Sequence, residues 1–151
     1  MMDRFSKRYW FRDWPNPDVP SVAAGVYVVW EGSQLIYCGM SGREIDNPTN
    51  RRKKRYGLIT RLGSHASGRL SGDQFCVYVA NRIVIPQIID DQKPEFASGS
   101  LTLDKLTKTY IHDNFEYQFK IVETQAAAYA LESEARRGEV FDVKPLLNPE
   151  S

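Results

Sequence analysis

Cysteine is nearly absent: the chain has two in 151 residues, Cys38 and Cys76. Both sit in apolar, β-rich runs, with no CxxC and no His-x-Cys neighbour. That excludes a disulfide framework and a cysteine metal centre. Both read as small buried hydrophobes of a reducing compartment. Long hydrophobic runs are missing too. No stretch approaches the ~18 apolar residues of a membrane span. The segment from Met1 to Trp14 is charged and aromatic, without the continuous apolar stretch of a secretory signal. The expectation is a cytoplasmic protein that does not enter a membrane. No repeat or low-complexity tract is present, which excludes a repeat architecture. An excess of either charge is also lacking. The net charge is +1, so overall charge singles out no partner.

What is present is an ordinary globular composition, 42% hydrophobic and 26% charged. A chain of this length forms about one domain and buries a real core without staples. The charge is unevenly spread. Residues 1–70 hold 12 Lys/Arg against 6 Asp/Glu, a balance of +6; residues 71–151 hold 8 against 13, a balance of −5. Such asymmetry suits a side that faces a polyanion, or two solvated faces that happen to differ.

Two regions are expected: an aromatic and basic N-terminal arm, residues 1–22, and a folded domain, residues 23–151. The arm mixes Arg4, Lys7, Arg8 and Arg12 with Phe5, Tyr9, Trp10, Phe11 and Trp14, and Pro15, Pro17 and Pro20 then work against regular structure. Ala24–Trp30 is β-branched and aromatic, Glu31-Gly32-Ser33 is a turn, and Leu35–Cys38 completes a hairpin. Gly39–Tyr56 is a polar loop. Leu58, Ile59, Leu62 and His65 recur at helical spacing, with Gly68 at the helix end. Gln74–Ala80 reads as a further strand reaching Ile85, and Pro86–Ser100 as a polar insertion. Leu101 to Ile111 suggests a helix capped by Ser100 or Thr102, and Tyr117–Val122 a strand. Thr124 caps a helix over Gln125–Arg137 that Gly138 stops. The class is α/β of the α+β kind, a small, mostly antiparallel sheet with helices packed on it.

Five features carry chemistry, in order along the chain. They are Gly25-Val26-Tyr27 in the first strand, Tyr37-Cys38-Gly39 ending the second, Arg61 with His65 on one helix, Glu132 in the late helix, and the closing Leu147-Asn148-Pro149. Tyr27 and Tyr37 lie on adjacent strands of one hairpin, so their hydroxyls can converge. Arg61 and His65 are four apart and share a helix face. Glu132 offers a hard oxygen ligand, and Mg²⁺ needs only one or two protein carboxylates. Glu134 is its rival, because helical geometry does not separate the two. Each acid also has an ion-pair reading, Glu132 with Arg136 and Glu134 with Arg137.

This constellation resembles the GIY-YIG nuclease family over roughly Ala23 to Pro149. Gly25-Val26-Tyr27 stands for the first motif and Tyr37-Cys38-Gly39 for the second. Arg61 to His65 looks like the family's Arg-x-x-x-His helix, Ala130-Leu131-Glu132 like its carboxylate-bearing stretch, and Leu147-Asn148 like its closing motif. The resemblance implies a three-stranded central sheet flanked by helices and a DNA endonuclease dependent on Mg²⁺ or Mn²⁺. Its products would carry 5′-phosphate and 3′-hydroxyl ends. It implies Tyr27 as general base and Glu132 as metal ligand. Tyr37, Arg61 and His65 would complete the catalytic set, with Gly25, Gly39 and Asn148 as structural support. A tyrosine acting as base at neutral pH needs a lowered pKa, with Arg61 or the ion as the cation. One departure stands out: many members carry a lysine where this chain has Met40. Arg43 follows closely, but a guanidinium cannot accept a proton near neutrality.

Arg51, Arg52, Lys53, Lys54 and Arg55, together with Arg43 and Arg69, are the candidate contacts to DNA, mostly through phosphates. The run from Arg51 to Arg55 equally reads as a solvated loop or a targeting signal. The aromatic arm suits base stacking or groove insertion, or packing over an exposed sheet edge. Single- and double-stranded DNA both fit, and homodimerisation is compatible with this reading. The alternatives from other classes are a nucleic-acid-binding module with weak or no catalysis, which Met40 favours, and a protein-interaction domain using the arm.

Overall fold

Seven consecutive residues, Ala24 to Trp30, have nothing polar in their side chains but one tyrosine hydroxyl and one indole N–H, and such a run suits a strand covered on both faces. In the computed structural model, which describes residues 4–21, 23–42 and 57–149, this is β2 (Ala24–Glu31), buried along all but its last residue. It turns at Gly32-Ser33 into β3 (Gln34–Ser41). On its other side lies β4 (Glu116–Val122), also antiparallel. Ile36 is an extra residue in the hairpin, because Val29 pairs with Tyr37 and Trp30 already with Leu35.

The sheet has four strands in the order β1-β4-β2-β3, not three. The added strand is β1 (Tyr9–Trp10), which pairs Tyr9 with Tyr117 and Trp10 with Glu116. Phe11 is fully buried, and Tyr9 stacks on Tyr117 at 5.7 Å between ring centroids. Much of the aromatic segment therefore packs on the sheet, as the edge reading expects. Trp10 stays 38% exposed, with the Arg12 guanidinium 4.2 Å from its ring centroid.

The expected strand from Gln74 is instead a helix. Helix α1 (Leu58–Ser67) ends at Gly68, and α2 (Gln74–Val79) follows, continuing as a π-helical stretch over Ala80–Val84. The β-favouring residues Val77, Tyr78 and Val79 mislead here. The Asp73 side chain caps the segment by accepting the Cys76 N–H, and the buried positions Phe75, Cys76, Val79 and Ala80 follow helical, not alternating, spacing. Tertiary burial overrides a weak β propensity. The polar insertion holds a short helix, α3 (Lys93–Ser98). Helix α4 (Leu103–Asn114) is capped by Thr102, and α5 (Gln125–Arg136) by Thr124.

Two layers of helix sandwich the sheet. On the front face Tyr27, Val29, Ile36, Tyr117 and Phe119 meet Leu58 and Leu62 of α1, Phe75 and Val79 of α2, and Ile111 of α4. Each fully buried Leu, Ile or Phe contributes roughly 1.5–3 kcal/mol, so this larger cluster dominates stability. On the back face Val28, Trp30, Leu35 and Cys38 meet Ala135 of α5. The C-terminal tail runs along β3. The Leu146 N–H donates to Leu35 O and the Leu147 N–H to Ile36 O. Among the described residues no helix is long and apolar enough to cross a membrane.

Candidate active site

Tyr27 sits mid-strand on the front face and is fully buried. Its ring lies over Gly39, its cross-strand partner. A Cβ at Gly39 would stand 2.2 Å from the Tyr27 hydroxyl oxygen, so only glycine leaves room for the ring. Gly25 serves a similar end, since a Cβ there would meet Lys120 O at 2.5 Å and the Leu58 side chain at 2.6 Å. Tyr37, on the same face of β3, brings its ring centroid to 6.4 Å from that of Tyr27.

The Tyr27 hydroxyl is 2.6 Å from His65 Nε2. His65 Nδ1 is 2.7 Å from Asp73 Oδ2. That same oxygen accepts the Ser64 hydroxyl at 2.7 Å, and Asp73 Oδ1 accepts the Cys76 N–H at 3.0 Å. Both His65 and Asp73 have side chains only 2% exposed. Sequence reasoning missed Asp73 altogether. Its one visible signal was a helix-capping acid eight residues after His65, and the strand expected from Gln74 hid that signal.

Arg61 stands one turn before His65, and its positive charge favours the ionised form of Tyr27. The expectation of a lowered tyrosine pKa is not met. Burial raises Tyr27 well above the ordinary tyrosine value and the neighbouring Tyr37 adds to the rise, against the opposing pull of Arg61. Burial also lifts Tyr37, to about 12, with Arg61 again opposing. Burial lowers the His65 pKa and outweighs the Asp73 carboxylate, so the imidazole is neutral. Burial alone would raise Asp73, but its hydrogen bonds from His65, Ser64 and the Cys76 N–H bring it down to about 2. At neutral pH the pair is therefore a neutral imidazole beside an ionised carboxylate.

Glu132 reaches the same place from α5, with a side chain 14% exposed. It shares a cleft of about 510 Å³ with Tyr27, Tyr37, Arg61, Met40 and Arg136. Glu134 is exposed and does not line this cleft. Arg136 is a second residue the sequence reading left out of the site. It contacts Glu132 Oε1 at a long 3.4 Å and donates to Pro149 O at 2.8 Å. Its spacing from Glu132 was the available signal, read only as an ion pair. Met40 lends the cleft no charge.

Asn148 holds the tail to β3 as a strand partner would. Its Oδ1 accepts the Cys38 N–H at 2.7 Å and its Nδ2 donates to Cys38 O at 2.9 Å. Arg69 is exposed beyond the end of α1 and lies outside the cleft. Arg43, Arg51, Arg52, Lys53, Lys54 and Arg55 fall outside the described residues.

Among the described residues no three His, Cys, Asp or Glu side chains cluster as a metal cage. A divalent ion here would rest on Glu132, waters and substrate oxygens, a donor set that suits Mg²⁺ or Mn²⁺ better than zinc. The arrangement joins a phenol with a proton acceptor behind it, two guanidinium groups and one carboxylate. That set can do acid–base chemistry on an anionic substrate. No protein-family model matches the chain, no curated protein matches it, and no solved structure matches its fold.

Proposed function

We propose that this chain is a metal-dependent endonuclease of the GIY-YIG type that hydrolyses phosphodiester bonds in DNA. One observation carries the reading. Tyr27, Tyr37, Arg61 and Glu132, singled out by motif order over more than a hundred residues, line one cleft. In this reading Arg61 grips nonbridging phosphate oxygens with its planar fork. Tyr27 orients the attacking water. A phenol held protonated by burial is a poor base by itself, so Tyr27 takes a proton from water only as it passes its own to His65 Nε2. The new P–O bond forms as the bond to the 3′ oxygen breaks, and the leaving alkoxide is finally protonated from the imidazolium or solvent. Glu132 would hold Mg²⁺ or Mn²⁺, which when bound polarises the phosphate. Arg136 must then yield Glu132, and the 3.4 Å contact is a weak one to break.

The second reading, a binding module with weak or no catalysis, is favoured by Met40, which leaves the cleft without the family's lysine. The test is cleavage of labelled DNA with Mg²⁺, beside a gel shift. Glu132→Ala should abolish cleavage and leave binding and fold largely intact. Full Mg²⁺-dependent activity in that variant would overturn the metal assignment. Binding without cleavage in the wild type would favour the second reading.

A further inference from the structure

A carboxylate as buried as Asp73 is costly to keep ionised unless it is well hydrogen-bonded. Capping α2 does not demand one, because Ser, Thr or Asn caps a helix as well. What a neutral cap would not supply is a strong acceptor facing His65 Nδ1. We propose that Asp73 is the positioning residue of the site, fixing His65 as the Nδ1–H tautomer so that Nε2 can take the proton of Tyr27. The inference rests on the nuclease reading and names a residue that this reading does not otherwise use.

At 2.7 Å, an unprotonated Nδ1 and a carboxylate oxygen would set two lone pairs against each other. The proton therefore lies on Nδ1, and the lone pair of Nε2 faces the Tyr27 hydroxyl at 2.6 Å. The groups facing the imidazole are Tyr27 from β2, Tyr37 from β3, Arg61 from its own helix, Asp73 at the start of α2, and the Phe75 ring at 4.6 Å. Asp73 is the only anion among them. When the Tyr27 O–H bond breaks and the Nε2–H bond forms, the imidazolium is stabilised by Asp73, which stays ionised throughout. Water has by then delivered its proton to the Tyr27 oxygen, so charge and protons balance within the chain Asp73–His65–Tyr27–water.

Asp73→Asn tests this without removing the cap. Its Oδ1 still accepts the Cys76 N–H, but its amide N–H now points at Nδ1 and forces the proton onto Nε2. Single-turnover cleavage with Mg²⁺ should fall about 10²–10⁴-fold near neutral pH, the usual loss when a general base is disabled, with DNA binding unchanged. The deficit should persist as pH rises to about 9, because burial keeps Tyr27 protonated there and it still needs an acceptor. Imidazole ¹⁵N NMR on the full chain is the second readout, and with only His65 and His112 present the assignment is direct. The wild type should show Nδ1–H at His65 and Asp73→Asn should show Nε2–H. Asp73→Ser, which keeps a cap oxygen, is the substitute should the first variant not fold. An Nε2–H tautomer in the wild type would overturn the proposal, as would a flipped tautomer with an undiminished rate. The NMR readout needs no cleavage, so failure of the nuclease reading and failure of this inference are told apart.

Discussion

His65 and Asp73 place two titrations inside the core; burial sets the direction of the first and hydrogen bonding that of the second. The folded chain holds His65 below its ordinary 6.5, so as pH falls the unfolded chain takes up that proton first and stability drops. Asp73 follows. Its stabilisation is complete above the ordinary value of 3.8 and is lost as pH falls toward about 2, a contribution of about 2 kcal/mol. Urea unfolding across a pH series should show stability falling from about pH 6.5 downward, and His65→Gln should remove the first part of that fall. A flat profile between about pH 7 and 5 would mean that His65 is not buried in its neutral form. At this scale the sequence was partly legible. Tyr27, Tyr37, Arg61, His65 and Glu132 announced themselves by order and spacing, and all lie in or against the cleft. Asp73 did not, because a single acid before an apolar run looks like any helix cap, and only the folded chain brings it to His65.

Elements were legible where local pattern and tertiary packing agree. The hairpin, the Arg61 helix, β4 and α5 fall close to where periodicity and caps place them. Gln74–Val79 shows the opposite case, since a β-rich run of six residues cannot by itself reveal that its neighbours bury it at helical spacing. The two-residue β1 was beyond pattern reading, because its pairing depends on Tyr117 and Glu116, more than a hundred positions away. The tail is the most informative element. It covers the outer edge of β3, which would otherwise present unpaired backbone. Asn148→Ala strips partners from both backbone groups of Cys38, and an unsatisfied buried group costs roughly 1–3 kcal/mol. Urea unfolding of Asn148→Ala should show a loss of that order. A loss below about 0.5 kcal/mol would mean that water replaces both bonds.

Across the whole molecule the uneven charge bears on the proposed DNA binding. The +6 of the first 70 residues includes the Arg51–Arg55 run. Each phosphate that a side chain no longer neutralises lowers the slope of log affinity against log salt by about 0.9 on duplex DNA. Neutralising three of these residues should therefore flatten the slope by roughly 2–3 and weaken binding about equally across sequences. Binding titrations over a series of NaCl concentrations decide it, and an unchanged slope would move the binding face elsewhere. The cleft itself is assembled from distant parts of the chain. It takes Tyr27 and Tyr37 from the hairpin, Arg61 from the front layer and Glu132 from the back layer, and the strand beneath it is tied down by Asn148. No fragment that stops short of α5 contains that set. A chain cut off before α5 has the phenols and the Arg61 guanidinium but not the carboxylate that completes them. Any truncation that removes α5 therefore takes Glu132 and Arg136 out of the cleft together.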